Sequence, residues 1–341
     1  MRLPQDDLDA AKALITAHGG DALRGRTIFM TGGTGFLGRW LVETALDCGA
    51  RLYVLTRDAN RVRDLAGRVS LIEGDIAALS ECPGLPSHCD YVISGATEPA
   101  SALAGGDPGL FFKTIEGVRH TLDYAVRANS KRILYLSSGA VYGRQPAEIS
   151  RVTEDSAGAA DVSDPQSTYA ETKRVGELLC AHYRKRFGLE TVIARGFSFI
   201  GPHIPLDRGF AAGNFIGNAL ERTPIVVQGD GTTLRTYLYA ADFAVWCWIL
   251  LLRGTAGRAY NVGSEIEVSI GELAHEAATL TNPAPPVNIL GTPNPTMPPM
   301  RYVPSTARAR QELGLRESID WRTALRRTYE WYSAQRVEAV S

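Results

Sequence analysis

The chain has 341 residues, of which 36 are Lys or Arg and 37 are Asp or Glu, so its formal net charge is −1. This length suffices for one large domain with a smaller lobe, and the balanced charge argues against a nucleic-acid or anionic-membrane partner. The five cysteines are odd in number and lack CxxC spacing, which argues against a disulfide framework or a metal site and favours a reducing cytoplasm.

Two segments bear on whether the chain is secreted or bound to a membrane. Residues 1–18 are mixed in character and lack the apolar stretch of a signal peptide, so they predict a short helix on the outside of the protein. Residues 243–252, FAVWCWILLL, fall well short of the ~20 residues that a membrane span requires, and they predict a buried helix. We therefore expect a cytoplasmic protein with no membrane partner.

Short apolar segments alternate with helical segments through the first part of the chain. The predicted strands are RTIFM (26–30), RLYVLT (51–56), CDYVISGA (89–96), RILYLSS (132–138) and ETVIARGF (190–197). The predicted helices between them cover residues 38–50, 111–128 and 169–188. This alternation predicts an α/β fold of the Rossmann type, in which helices cover both faces of a doubly wound parallel sheet.

Beyond about residue 196 the alternation breaks into short pieces separated by Pro and Gly. We expect these pieces to form a smaller, discontinuous C-terminal lobe. The predicted boundaries are residues 1–25 for an N-terminal helical extension, 26–195 for the main domain with a returning segment at 236–262, and 196–235 together with 263–335 for the smaller lobe.

The segment TGGTGFLG follows the first predicted strand and opens the first long helix. Gly32 and Gly35 would let the backbone approach a pyrophosphate, and Gly38 would let the helix pack on the strand. The helix N-terminus would then face the anion. This context predicts a dinucleotide site in which Phe36 and Leu37 are further candidate contacts.

The end of the second predicted strand bears on the choice of dinucleotide. NAD sites usually carry an acid there to hold the ribose hydroxyls, whereas this chain has Thr56 and Arg57. A guanidinium suits the 2′-phosphate of NADP, and Asp58 is expected to cap the helix that follows. We therefore favour NADP(H) and leave NAD open. Asp75, with Ile76 beside it, is either a contact to the adenine side or an ordinary turn residue.

Tyr169 and Lys173, in YAETK, are four residues apart and thus lie on one face of a helix. The ordinary pKa of a phenol is ~10, and we expect the ammonium together with an oxidised nicotinamide to lower it by favouring the phenolate. Ser138 ends a predicted strand and supplies a hydroxyl. Gly139 and Ala140 follow it, and neither can transfer a proton. This pattern predicts a proton-transfer site.

Together these motifs resemble the extended short-chain dehydrogenase/reductase superfamily of NAD(P)-dependent nucleotide-sugar epimerases, dehydratases and reductases. The resemblance extends over nearly the whole chain and rests on TGGTGFLG, GDI, SSGAVYG, YAETK, ARGFSFIGP, NFI, VVQGDGTTLRTYLYAADFA, YNVGSEIEVSI and RARQELGL. It implies that Ser138 contacts the reacting sugar oxygen, Tyr169 is the acid-base group, and Lys173 holds the nicotinamide ribose. It also implies a homodimer formed through the helix bearing YAETK and the helix before SSGAVYG.

The same resemblance implies that the main domain binds NAD(P) and that the smaller lobe binds a nucleotide sugar. Asn214 would lie near the diphosphate, and Arg235 and Arg301 are candidates to hold its oxygens, with surface ion pairs as the alternative for both arginines. Ala96 and Thr97 follow the fourth predicted strand, where relatives place contacts to the nicotinamide and the sugar.

The sequence departs from the family at Gly139 and Ala140, where 4,6-dehydratases carry Asp-Glu and decarboxylases a glutamate. Reduction of one carbon needs only the tyrosine proton and an oriented carbonyl. We therefore expect NADPH-dependent reduction of the 4-keto group of a nucleotide-linked, dTDP-type 4-keto-6-deoxyhexose in deoxysugar biosynthesis. An NAD-dependent 4-epimerase of the UDP-galactose type is the alternative, and a non-catalytic NADP-sensing regulator is a third reading.

Overall fold

A computed structural model describes residues 2–207 and 209–338 of the chain. Within these ranges the strands are β1 (Thr27–Thr31), β2 (Arg51–Thr56), β3 (Ser70–Glu73), β4 (Tyr91–Ser94), β5 (Arg132–Ser138), β6 (Glu190–Gly196), β7 (Phe199–Ile200), β8 (Ile225–Val227), β9 (Leu234–Arg235), β10 (Leu238–Tyr239), β11 (Ala259–Val262), β12 (Val268–Ser269), β13 (Val287–Ile289) and β14 (Arg301–Tyr302). The α-helices are α1 (Gln5–Ala17), α2 (Phe36–Asp47), α3 (Ala100–Leu103), α4 (Pro108–Arg127), α5 (Thr168–Phe187), α6 (Ala211–Glu221), α7 (Ala240–Arg253), α8 (Ile270–Ala278), α9 (Ala307–Leu313) and α10 (Trp321–Glu338).

Seven strands form one sheet in the order β3-β2-β1-β4-β5-β6-β11. Every neighbouring pair in this sheet is parallel, which confirms the predicted doubly wound α/β fold. The direction of strand order reverses between β1 and β4. In open sheets of this kind, ligands bind beyond the carboxyl ends of the strands at such a reversal.

Alternate residues of β1 point to opposite faces of the sheet. Ile28 and Met30 belong to the core that contains α2 and α7, whereas Phe29 belongs to a second core against α4 and α5. All five residues of β1 are buried. Coverage on both faces explains why the predicted strands are continuously apolar rather than alternating.

The apolar segment FAVWCWILLL forms most of α7, which is buried along nearly its whole length, as predicted. The predicted N-terminal helix is α1, which lies against α2 and α7 and buries Leu8, Ala11 and Ile15. Among the residues that the structure describes, no helix combines the length and apolar character needed to cross a membrane.

The remaining strands form small sheets. β7 pairs with β10, β8 pairs with β13, and β9 lies between β12 and β14. Most of these strands come from the two ranges predicted as the smaller lobe, while β11 of the returning segment forms the edge of the main sheet beside β6. The domain boundaries themselves stay a prediction.

The two helices through which the resemblance implies a homodimer, α4 and α5, pack side by side. Each carries a large apolar side chain in solvent, Phe112 on α4 and Leu178 on α5. The oligomeric state stays a prediction.

Candidate active site

A cleft of about 550 Å³ opens at the carboxyl edge of the main sheet. Its walls include the ends of neighbouring strands: Thr56 ends β2, Ser138 ends β5, and Gly196 ends β6. Gly32 and Gly95, which follow β1 and β4, line it where the strand order reverses. The cleft thus lies where the topology favours a ligand.

The structure brings every residue predicted for the cofactor to this cleft. The lining residues from that set are Gly32, Gly35, Phe36, Leu37, Gly38, Thr56, Arg57, Asp75, Ile76, Ala96, Tyr169 and Lys173. Two residues predicted for the substrate, Thr97 and Ser138, line it as well. Residues up to 141 positions apart therefore share one surface, although their roles stay predictions.

The glycine turn between β1 and α2 is shaped by close backbone contacts. Gly32 has φ +79°, and a Cβ there would lie 2.5 Å from the carbonyl carbon of Gly95. A Cβ on Gly38 would lie 2.1 Å from the carbonyl oxygen of Gly32, so only glycine lets α2 begin this close to the turn. At Gly35 the nearest atom is 3.6 Å away. This open space at the helix N-terminus fits a dinucleotide pyrophosphate.

The end of β2 offers a hydroxyl and a guanidinium. Asp58 accepts a hydrogen bond from the Asn60 amide at 2.9 Å, which confirms its predicted role as the cap of the helical segment that follows. The Arg57 side chain is 71% exposed, and its guanidinium lies 3.3 Å from Glu98 Oε1. Thr56 is buried, and its hydroxyl donates to the Asp58 carbonyl at 3.1 Å.

Asp75 is both a turn residue and a wall of the cleft. Its carboxylate accepts from the Ala77 amide at 2.9 Å and lies 2.7 Å from the Lys113 ammonium. Burial alone would raise the pKa of Asp75, but Lys113 and the Ala77 amide outweigh burial, and the pKa lies below its ordinary value. Asp75 therefore stays ionised at neutral pH.

Ser138, Tyr169 and Lys173 meet at the sheet side of the cleft. The Lys173 ammonium donates to the Leu136 carbonyl at 2.9 Å and lies 5.7 Å from the centroid of the Tyr169 ring. The Ser138 hydroxyl lies close enough to the Tyr169 phenol to lower its pKa, and Ser138 Oγ accepts from the Ala140 amide at 3.2 Å. This arrangement can hold and transfer a proton at a ligand oxygen.

The protein groups by themselves raise the pKa of Tyr169, whereas the expected lowering includes an oxidised nicotinamide and stays a prediction. Burial raises the pKa of Tyr169, and the hydrogen bond from Ser138 offsets only part of that rise. Burial also lowers the pKa of Lys173 to about 8, against the opposing influence of Glu177. A lower phenol pKa requires further positive charge, such as that of an oxidised nicotinamide.

Glu177 is a residue that sequence reasoning missed. It follows Lys173 by four residues on the same helix face, and its carboxylate accepts from Ser137 Oγ at 2.6 Å. Arg195, at the end of β6, forms a two-point ion pair with it. The repeated spacing of four from Tyr169 through Lys173 to Glu177 was the available signal.

Aromatic side chains form another part of the cleft that the sequence did not reveal. Those that line it beside Phe36 are Phe197, Phe199, Phe210 and Phe243. Phe197 and Phe199 are two residues apart, but Phe210 and Phe243 come from other segments, so no single local spacing marked the set. They give one wall of the cleft an apolar character.

The three remaining residues predicted for the substrate are not among those that line the cleft. Arg235 and Arg301 lie on the paired strands β9 and β14, and the Arg235 guanidinium lies 5.3 Å from the centroid of the Tyr302 ring. Arg301 Nε lies 3.6 Å from Glu267 Oε1. Within the described residues, that nitrogen and Asn214 Oδ1 are buried without a hydrogen-bond partner, which fits a ligand contact.

Comparison with protein families found a matching model. The model of the NAD dependent epimerase/dehydratase family matches residues 28–263. The chain belongs to this family.

Curated relatives of this family member include the low-salt glycan biosynthesis protein Agl12 of Haloferax volcanii, which is 30% identical over 254 residues, covering 71% of the chain and 78% of Agl12. UDP-glucuronic acid decarboxylase 1 of Arabidopsis thaliana is 27% identical over 348 residues, covering 94% of the chain and 75% of the relative. A protein of glycan biosynthesis and a UDP-glucuronic acid decarboxylase are thus similar to this chain.

Solved structures share the fold of this chain. The epimerase Mth375 of Methanothermobacter thermautotrophicus has a TM-score of 0.81 and 23% identity, covering 96% of this chain and 97% of that chain. The Bordetella bronchiseptica enzyme WbmF, in complex with NAD+ and UDP, has a TM-score of 0.78 and 23% identity, covering 93% of this chain and 95% of that chain.

The open space at Gly35 leads to a test of the pyrophosphate site. Both Gly35→Asn and Gly35→Asp should preserve α2, because Asn and Asp are good N-cap residues. We expect Gly35→Asp to bind NADP+ and NAD+ at least about tenfold more weakly than Gly35→Asn, because its charge repels the pyrophosphate. Calorimetric titration measures the affinities, with thermal unfolding as the control. Equal affinities of the two variants would contradict this site.

The position of Glu177 leads to a test of the Lys173 environment. Glu177→Gln should lower the pKa of Lys173 below about 8, because the carboxylate favours the ammonium. The measurement is the pH dependence of the lysine ¹³Cε shift, with Lys173→Arg to assign the signal among five lysines. Glu171→Gln, on the same helix, is the matched control and should leave the pKa unchanged. An unchanged or higher pKa in Glu177→Gln would contradict the assignment.

Proposed function

We propose that the protein catalyses the NADPH-dependent reduction of the 4-keto group of a nucleotide-linked 4-keto-6-deoxyhexose, with dTDP as the nucleotide, in deoxysugar biosynthesis. Three groups support proton transfer at one ligand oxygen: the Ser138 hydroxyl, the Tyr169 phenol and the buried Lys173 ammonium. The observation that carries the choice of reaction is the wall beside Ser138.

That wall leaves no space for a side chain at residue 139. A Cβ on Gly139 would lie 2.7 Å from Phe197 Cζ and 2.8 Å from Tyr302 Oη, closer than real Cβ contacts. The methyl group of Ala140 cannot act as an acid or base. Residues 139 and 140 therefore supply no carboxylate for elimination or decarboxylation, whereas reduction of a ketone does not need one.

The proposed mechanism assigns one task to each side chain. The dinucleotide, when bound, supplies the hydride. Ser138 donates a hydrogen bond to the ketone oxygen, and Tyr169 transfers its phenolic proton to that oxygen as negative charge develops there. Lys173, held by the Leu136 carbonyl, keeps a positive charge beside the phenol. Positioning and electrostatic stabilisation supply the acceleration.

The preference for NADP rests on the end of β2. The Asp58 carboxylate caps the following helical segment, and the adjacent Arg57 guanidinium is well exposed at the rim of the cleft. A guanidinium can make two charge-assisted hydrogen bonds to a 2′-phosphate. Glu98, which pairs with Arg57, would have to share or release it when the phosphate binds.

A 4-epimerase that retains NAD is the second candidate. Epimerases oxidise and then reduce one carbon, so the wall at Gly139 permits that reaction too. The fold is compatible with this candidate, because one solved structure of similar fold is a UDP-glucose 4-epimerase of Thermotoga maritima, with a TM-score of 0.78 and 19% identity.

The two candidates differ in what the purified protein carries and consumes. We expect that denaturing the purified protein releases no stoichiometric NAD. We also expect that the protein oxidises NADPH when a dTDP-4-keto-6-deoxyhexose is added. Tyr169→Phe should lower kcat by about a thousandfold with little change in dinucleotide affinity, because only the transferable proton is lost. Tyr183→Phe, on the same helix, is the control. Stoichiometric NAD with interconversion of UDP-sugars would support the epimerase instead.

Arg57 provides the test of cofactor choice. Arg57→Gln should weaken NADPH binding about tenfold or more and leave NADH binding nearly unchanged, because only NADPH carries the 2′-phosphate. Arg63→Gln is the control, since Arg63 lies in the next helical segment and contacts Asn60. Fluorescence titration with both dinucleotides gives the ratio. An equal loss for NADPH and NADH would refute the proposed contact.

A further inference from the structure

Ser138 is in contact with two phenols, not one. Besides the Tyr169 hydroxyl, the hydroxyl of Tyr302 lies 3.5 Å from Ser138 Oγ. Tyr302 ends β14 and is 164 residues away from Ser138 along the chain. A residue outside the main sheet therefore reaches the group that is proposed to bind the ketone.

The position of Tyr302 is constrained on several sides. Its ring packs on Phe197 with centroids 4.7 Å apart, and the Arg235 guanidinium lies over the ring. The next residue, Val303, donates its amide to Gln145 Oε1 at 2.9 Å and accepts from the Val152 amide at 3.0 Å. These contacts hold the phenol against Ser138 and leave its ring little freedom to rotate away.

The hydrogen-bonding capacity of Ser138 gives this contact a chemical consequence. A serine hydroxyl has one proton to donate and two lone pairs that accept. The Ala140 amide already donates to Ser138 Oγ at 3.2 Å. Burial raises the pKa of Tyr302, so its phenol stays protonated at neutral pH and can donate to the second lone pair. The serine proton is then directed to Tyr169 or to a ligand oxygen.

Tyr302 also occupies the space that a side chain on residue 139 would need. A Cβ on Gly139 would lie 2.8 Å from Tyr302 Oη, and the Phe197 ring lies equally close. The same phenol thus excludes a carboxylate beside Ser138 and supplies a neutral hydroxyl there.

We propose that Tyr302 is a positioning residue for Ser138, whose proton it directs to the ketone oxygen by donating to Ser138 Oγ. This inference rests on the proposed function, in which Ser138 binds that oxygen. Tyr302 makes no contact with the reacting atoms and acts only through the serine.

The test is a double-mutant cycle with Tyr302→Phe and Ser138→Ala. Tyr302→Phe keeps the ring that packs on Phe197 and removes only the hydroxyl. We expect kcat to fall about tenfold while KM and the NADPH dissociation constant change less than about twofold. In the Ser138→Ala background, Tyr302→Phe should have no further effect on kcat, because the hydroxyl acts through the serine.

Tyr124→Phe is the matched control. Tyr124 is on α4, does not line the cleft and donates to the Pro86 carbonyl at 3.0 Å, so its variant also loses one hydrogen bond of a phenol. It should lower thermal stability to a similar extent and leave kcat unchanged.

The outcomes separate this inference from the proposed function. If the wild type is active, this inference alone would be overturned by either of two results. The first is a Tyr302→Phe variant that keeps full kcat, and the second is a pair of substitutions whose effects on kcat are additive. If the wild type interconverts UDP-sugars instead, the double-mutant cycle is run on that reaction. The same criteria apply, because Ser138 would bind the same oxygen. A wild type that catalyses neither reaction would overturn the proposed function, and this inference with it.

Discussion

The removal of one ammonium group from water is the constraint on which the site depends. Lys173 is only 5% exposed, and it is kept in place by the Leu136 carbonyl and by the charge of Glu177. Burying an unpaired ammonium is costly, so these partners are needed for the lysine to remain there. Its pKa of about 8 leaves it largely charged at neutral pH, beside the phenol that would give up a proton.

The close packing of α5 on β5 makes that burial possible. A Cβ on Gly176 would lie 2.1 Å from the hydroxyl of Tyr135, so a larger residue would push the helix away from the strand. At the present spacing, the lysine reaches a strand carbonyl and Tyr169 reaches Ser138. One glycine in the helix therefore influences the geometry of all three polar groups.

Proteins similar to this chain in sequence or in fold carry names that include epimerase, dehydratase and decarboxylase. A common sheet and glycine turn cannot distinguish such reactions, because function lies in the site rather than in the fold. In this chain the distinguishing feature is the surface beside Ser138, where Gly139 is enclosed by Phe197 and Tyr302. Apolar and phenolic groups stand there in place of a carboxylate.

By itself the sequence determined the parallel sheet, the glycine turn at the start of α2, the cap at Asp58 and the shared helix face of Tyr169 and Lys173. Each of these follows from the periodicity of one element or from hydrogen bonds between near neighbours. Only the tertiary structure decided that Tyr302 touches Ser138, because that contact joins β14 to β5 through the packing of segments distant in the chain. It also decided the direction of the Tyr169 pKa, since burial is a property of the folded surroundings and not of local spacing.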